Sequence, residues 1–232
     1  MTSKLEKIVV LSGAGVSAES GLKTFRDADG LWEGHDVMEV ATPEAWDRNP
    51  KLVLEFYNQR RRQLKEVESN LAHKILAELE VHYDVHIVTQ NVDDLHERSG
   101  STKVLHLHGE LFKVRPVNDL DHIIEWREDL NLGDTSENGI QLRPHVVWFG
   151  EGVPNMSPAI DIVSQADVLI IIGTSLQVYP AAGLKDYAKP QTPIYLIDPK
   201  PGISESGNLH IFAEPASIGM QKLKSILLEN KL

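Results

Sequence analysis

The chain of 232 residues is predicted to be an α/β protein: a Rossmann-like, doubly wound, mostly parallel sheet with a small inserted domain. Three observations predict it. Short apolar runs at Ile8–Leu11, Val85–Thr89, Asp167–Ile172 and Ile194–Ile197 read as buried strands. Segments with apolar residues at helical spacing lie between them, the alternation that produces parallel sheets. Each run also ends in small or polar residues, where open α/β sheets place their ligands.

After the first strand, Ser12-Gly13-Ala14-Gly15 turns the chain into a segment that can start a helix. Two glycines let backbone approach a phosphate closely, and free N–H groups at a helix start favour an anion. With Ala18 they fit G-x-G-x-x-A, a variant of the dinucleotide fingerprint. The acidic residue expected about 20 residues later on a second strand is missing. A polar loop, Lys23 to Gly34, stands there instead and argues for an unusual use of a nucleotide. The competing reading is a strand-turn-helix corner that binds nothing.

Thr42 is placed to cap a short helix with Pro43 at its first position, and Asn49-Pro50 repeats the signal for a helix from Pro50 to Val67. Val53, Phe56, Leu64 and Val67 share a face of that helix with Tyr57 and Arg60. Asn70 caps a further helix with Ile75, Leu76 and Leu79 inward. The strand ending at Thr89 runs into Gln90-Asn91-Val92-Asp93-Asp94-Leu95-His96, and Val104 to Gly109 reads as a strand whose polar end is His108. Phe112 to Leu142 has no clean period and reads as an irregular insertion, after which Arg143 to Glu151 is extended. The later strands end in Gly173-Thr174-Ser175 and at Asp198-Pro199, and a helix from Ser217 to Leu228 closes the chain. The expected organisation is a nucleotide-binding domain of residues 1–34, 73–111 and 145–232, with residues 35–72 and 112–144 as the small domain.

Composition excludes several classes. A formal net charge of −11 disfavours a general nucleic-acid binder, which needs a broad basic face. The absence of cysteine removes disulfides, thiolate metal sites and a cysteine nucleophile together. No apolar run is long enough to span a bilayer and the N-terminus lacks a signal-peptide core, so a cytoplasmic protein without membrane partners is expected; a monomer is the expected state.

G-A-G-V-S-A-E-S-G-L-K-T-F-R, T-Q-N-V-D-D-L-H, L-H-G-E, V-V-W-F-G-E and G-T-S-L-Q-V-Y-P occur in the order and spacing of the sirtuins, which the chain resembles over nearly its whole length. Sirtuins are NAD-dependent protein deacylases, and the likeness is to bacterial single-domain members. The resemblance implies NAD as co-substrate. Gly13, Ala14 and Gly15 would hold its pyrophosphate, with Ser17, Glu19 and Thr24 nearby and Phe25, Arg26 and Trp32 in a flap over nicotinamide. Gln90, Asn91, Val92 and Asp93 would line the nicotinamide and ribose pocket, and Gly173, Thr174, Ser175, Asp198 and Ala216 the adenosine half. His108 would be the general base and Asn91 and Asp93 its catalytic partners, since an imidazole titrates near neutrality and can take a proton from a ribose hydroxyl. The acyl oxygen would displace nicotinamide and the acyl group would end on ADP-ribose. Val147, Phe149, Gly150 and Glu151 would supply the peptide site by pairing extended backbone with a substrate strand. The missing acid is then expected: a hydride-transfer enzyme only orients the ring, whereas a deacylase breaks the glycosidic bond.

Tyr57 and Arg60 stand three apart, so a phenol and a guanidinium project together from one helix face. An intramolecular partner such as Glu44 or Asp47, or a solvated Arg60-Arg61-Arg62 patch, would account for the arginine. With Ala41 they resemble the acyl pocket of class III sirtuins, which implies succinyl-, malonyl- or glutaryl-lysine as substrate. The alternatives are a plain deacetylase, an ADP-ribosyltransferase, or a non-catalytic NAD or ADP-ribose binding module. The chain departs from most sirtuins in lacking the two cysteine pairs that bind a structural zinc. Arg115-Pro116 and Thr135 to Gly139 stand near their places, and His122 and His145 fall short of four ligands. A metal-free insertion held by apolar residues around Trp126 is expected. Asp198 stands where the family usually has Asn.

Overall fold

The computed structural model describes residues 5–23, 31–32, 35–174, 176 and 178–229, with residues 31 and 32 as backbone alone. Its first strand, β1 (Lys7–Ser12), is buried almost end to end because both faces of the sheet are covered. Ile8 and Val10 face one layer, and Val9 and Leu11 the other. Two 3-10 turns, Ala14–Val16 and Ala18–Ser20, follow in place of the expected helix start. A ribbon of β2 (Leu31–Trp32) and β3 (His35–Asp36) leads into α1 (Val37–Val40), α2 (Pro43–Arg48) and α3 (Pro50–Glu66). Thr42 Oγ1 accepts from the Ala45 amide at 3.0 Å and Asn49 Oδ1 from Leu52 at 3.2 Å, so both expected caps operate. Asn70 caps α4 (Leu71–Leu79), and His73 Nδ1 returns the favour by accepting from the Asn70 amide.

Next come β4 (Asp84–Thr89), the single turn α5 (Leu95–Arg98) and β5 (Val104–His106). The segment expected to be irregular instead opens with an eight-residue strand, β6 (Gly109–Pro116). With β7 (Ile124–Glu125) and β8 (Leu142–Val146) it makes a small antiparallel sheet in the order β7-β6-β8. The regularity comes from pairing across some thirty residues of chain, which leaves no short-range period to read. Arg115 pairs with Arg143 and Pro116 with Leu142 in that ladder. The chain ends through α6 (Met156–Ser164), β9 (Val168–Ile172), β10 (Ile194–Ile197), β11 (Leu209–Phe212) and α7 (Ala216–Glu229).

The main sheet has the order β11-β10-β9-β1-β4-β5 with every pairing parallel. The chain leaves β1 in one direction for β4 and β5, then returns to β9, β10 and β11 on the other side. The topological switch therefore lies between β1 and β9, where such sheets bind ligands. Helices α4 and α7 cover one face and α6 the other. A third cluster, containing Ala41, Val53, Phe56, Tyr57, Leu64, Leu111 and Trp148, joins the helical module to the small sheet. Among the described residues, no helix is long and apolar enough to cross a membrane.

Candidate active site

The loops after β1 and β9 interlock at the switch point. A Cβ on Gly15 would lie 2.7 Å from Gly173 Cα, and one on Gly173, at φ +63°, 2.1 Å from the Val16 nitrogen. The glycines are thus required first by one another, and only then by any ligand. Their amides are also committed: Gly13 donates to Ile172 O at 3.0 Å, Gly15 to Gly173 O at 2.8 Å, Val16 to Gly13 and Ser17 to Ala14. This corrects the expected row of free N–H groups at a helix start. The Ala14 amide makes no backbone hydrogen bond among the described residues. Glu19 accepts from the Ser217 amide at 2.9 Å, next to the buried Ala216 at the start of α7. Asp198, 3% exposed at the end of β10, accepts from the Lys200 amide at 2.8 Å. Thr24, Phe25, Arg26, the Trp32 side chain and Ser175 lie outside the described residues.

Beyond β4 the polar residues form a buried knot. Asn91 Nδ2 donates to Ser17 Oγ at 3.2 Å, and Ser17 Oγ donates to Asp93 Oδ2 at 3.0 Å. Asp93 Oδ1 accepts from the Leu95 amide, and burial raises its carboxyl to about 6 against those two bonds. Gln90 Nε2 reaches Thr174 Oγ1 at 3.3 Å, tying the β4 loop to the β9 loop. Val92 contributes its carbonyl to the Leu111 amide and packs on the third cluster.

Two histidines hold successive carbonyls of this loop. His108 Nδ1 lies 3.1 Å from Gln90 O, which can only accept, so Nδ1 carries the hydrogen and Nε2 of the neutral ring keeps its lone pair. Burial lowers His108 below the ordinary histidine range, opposed by the Gln90 carbonyl. His106 Nδ1 bonds Asn91 O at 2.9 Å while its Nε2 meets Glu97 Oε1 at 2.8 Å. Burial disfavours charge on His106, but the bond to Glu97 outweighs it and raises the ring above the ordinary value. Glu97, His106 and Glu110 bring one ligand atom each within 4.8 Å of one another. Lys113 bonds Glu110 at 2.6 Å and His106 bonds Glu97 at 2.8 Å, so each carboxylate already has a partner within the chain.

On α3, Tyr57 is fully buried and its oxygen accepts from Trp148 Nε1 at 3.0 Å. Arg60 lies half-buried with its guanidinium 4.2 Å from the Phe56 ring centroid, and Ala41 is 2% exposed in the same cluster. The expectation of a solvated arginine patch fails for Arg61, which is wholly buried. It donates to Leu111 O at 2.9 Å and Asn58 Oδ1 at 2.8 Å. Sequence reasoning missed Asn58, whose side chain also exchanges two hydrogen bonds with Leu130 and so pins the insertion to α3. Its one available signal was a polar residue on the apolar side of an amphipathic helix. Arg62 is the exposed member, paired with Glu55.

Residues 146–151 are not a free strand edge. Val147 N donates to His108 O, Phe149 N to Ala41 O, Trp148 N to Glu151 Oε2 and Glu151 N to Trp148 O, with a turn at Gly150. These amide donors are committed within the chain. Val147 is half-buried and the Phe149 side chain is 46% exposed. Arg143 grips Glu151 with both terminal nitrogens, at 2.7 and 3.1 Å. Against the upward push of burial, these bonds hold Glu151 below the ordinary carboxylate range.

Interlocked glycine loops, a buried Asn-Ser-Asp knot and a histidine held through Nδ1 thus gather along one rim of an α/β sheet, at its topological switch point. The Sir2 family model matches residues 13–180. An NAD-dependent protein deacylase of Helicobacter pylori is 59% identical over 226 residues, covering 97% of this chain and 99% of its own. A solved Sir2 homolog–NAD complex has 36% identity and a TM-score of 0.86, covering 97% of this chain and 91% of its own. A Sir2 protein solved with a deacetylated p53 peptide and 3'-O-acetyl ADP ribose has 26% identity and a TM-score of 0.79, covering 96% and 94%. The chain belongs to the Sir2 family, the sirtuins.

Proposed function

We infer that the chain is an NAD-dependent protein-lysine deacylase and that it accepts lysines carrying succinyl, malonyl or glutaryl groups at least as well as acetyl. The observation that carries the acidic preference is the pairing of buried Tyr57 with Arg60 one helical turn on, beside the small Ala41. Phenol and guanidinium together offer a fork of donors suited to a terminal carboxylate. Burial pushes the Tyr57 hydroxyl far above its ordinary value, so it remains a proton donor at any working pH.

Bound NAD supplies an electrophilic anomeric carbon and the ribose hydroxyls that finally receive the acyl group. The residues present fit it: the rim carries an Ala14 amide with no backbone partner among the described residues, the knot of Asn91, Ser17 and Asp93, and buried Asp198 at a strand end. His108 Nε2 takes the ribose proton, while Gln90 O holds the ring's other nitrogen and sets the tautomer. Asn91 and Asp93 orient the ribose and amide ends through the hydroxyl of Ser17. Peptide substrate pairs with the carbonyls of Val147, Phe149 and Gly150, because the neighbouring amides and the Trp148 carbonyl are committed within the chain.

The test is an acyl-peptide panel with NAD, comparing acetyl- with succinyl-lysine for the wild type and Arg60→Met. Nicotinamide release should require the acyl peptide, and the variant should lose desuccinylation at least tenfold while keeping deacetylation. Undiminished desuccinylation by Arg60→Met would remove Arg60 from the pocket. Nicotinamide release without acyl peptide would favour ADP-ribosyl transfer or simple glycohydrolysis.

A further inference from the structure

His106 ends β5 beside Thr89 of β4, is 7% exposed, and reaches with its ring to the loop that follows β4. Its two nitrogens meet two different oxygens: Nδ1 lies 2.9 Å from Asn91 O and Nε2 lies 2.8 Å from Glu97 Oε1. A backbone carbonyl only accepts, and so does an ionised carboxylate. A neutral imidazole carries one N–H and satisfies one of them, so holding both oxygens takes the imidazolium. Glu97 of α5 and Glu110 of β6 face the ring, with Lys113 bonded to Glu110 at 2.6 Å. Asp93 after β4 and His96 of α5 are the other titratable groups that feel its charge. Burial opposes that charge, the Glu97 bond outweighs burial, and the ring titrates above the ordinary histidine value.

We propose that His106 is a positioning residue, a proton-controlled clasp on Asn91: the imidazolium holds the Asn91 carbonyl and Glu97 together, and loss of one proton lets the carbonyl go. The proton that remains stays with the charged acceptor, because a hydrogen bond to an ionised group is about twice as strong as one to a neutral carbonyl. The neutral ring is therefore the Nε2–H tautomer, bonded to Glu97, with a lone pair facing Asn91 O. Two acceptors then confront each other and the peptide unit after Asn91 moves away. The consequence reaches the chemistry directly. Asn91 is 6% exposed, its side chain donates to Ser17 Oγ, and the preceding carbonyl, Gln90 O, is the one that sets the His108 tautomer. The proposal rests on the placing of Asn91 and His108 in the deacylase site, and it adds a loss of activity on the alkaline side, which His108 as a base does not supply.

The experiment compares wild type with Glu97→Gln, whose amide donates to Nε2 of a neutral ring and so leaves Nδ1–H on Asn91 O whether or not the ring is charged. The first readout is the nitrogen NMR spectrum of isotope-labelled histidine, with His106→Gln identifying the His106 signals. Wild type should carry hydrogen on both His106 nitrogens at about pH 6 and pass, in a titration centred above the ordinary value of about 6.5, to the Nε2–H tautomer. Glu97→Gln should titrate lower and become the Nδ1–H tautomer. The second readout is kcat/KM for an acetyl-lysine peptide at saturating NAD against pH. Wild type should lose about tenfold across the pH range in which His106 titrates, the worth of one hydrogen bond. Glu97→Gln should lack that limb and match wild type within about threefold at the acid end. Should Glu97→Gln not fold, the wild-type spectrum alone decides between the tautomers. A His106 already neutral at about pH 6, or one that keeps Nδ1–H after titration, would overturn the clasp, as would an alkaline limb unchanged in Glu97→Gln. The expected tautomer exchange with flat kcat/KM across it would overturn the positioning role and, with it, the placing of Asn91 in the site, a result distinct from the wrong tautomer.

Discussion

His106 and His108 sit two residues apart and hold neighbouring carbonyls, yet their charges are driven in opposite directions. Glu97 keeps His106 toward the imidazolium, whereas His108 faces burial with only a carbonyl to oppose it and stays neutral. The neutral ring is the one able to accept a proton. Because the His108 value is lowered, the base remains deprotonated as pH falls through the ordinary range near 6.5, and activity is lost only below it. The acid limb of kcat/KM for an acyl peptide should therefore fall below pH 6.5, and His108→Tyr should abolish deacylation; an acid limb above 6.5 would contradict the assignment. The context L-H-G-E singled out His108 in the sequence. His106 was not singled out, because its partner Glu97 stands on α5 and its second contact is a backbone carbonyl, neither of which a residue pattern encodes.

Helix ends were the most legible elements. Thr42, Asn49 and Asn70 all cap where expected, since a cap is satisfied by an amide two or three residues away. Asn70 does more than cap: its Nδ2 donates to Val16 O at 2.7 Å and Ser20 Oγ at 3.0 Å, tying α4 to the glycine loop after β1. Asn70→Ala should cost roughly 1–2 kcal/mol in urea titration, and it should raise the KM for NAD because the loop loses its tether. A stability loss with unchanged KM would confine Asn70 to capping. By contrast, β6 and β11 have no local signature, because each is defined by a partner strand rather than by its own period.

Across the molecule, the small sheet packs against α3, and the chain that builds it contains no cysteine. Val114, Leu130, Leu142 and Leu54 make its core, with Trp46, Ile124 and Trp126 packed against them. Trp126 thus contributes as expected, but at the edge of the cluster. Asn58 binds the insertion to α3, and Gln141 stitches its tip through bonds to Asn131, Asp134, Leu142 and Gly133. Side-chain amides here supply several directional contacts within the insertion and between it and α3. A strong chelator should therefore leave the thermal unfolding midpoint unchanged to within about 1 °C, whereas Asn58→Ala should lower it by about 4 °C or more. A chelator-sensitive midpoint, with zinc found at one equivalent, would overturn the metal-free reading.

The parallel sheet, its caps, the glycine loops and the order of the polar motifs were readable in the chain itself, because each depends on residues within a few positions of one another. The glycines illustrate the limit. Gly13 and Gly15 announced a close approach, but their partner turned out to be Gly173, about 160 residues away. Likewise Tyr57 and Arg60 announced a shared helix face, while the indole that donates to the phenol oxygen arrives from residue 148. Periodicity reports which face a residue occupies. What it meets there depends on which distant strands and helices pack against that face, and a hydrogen bond has direction and reach that only the packed chain supplies.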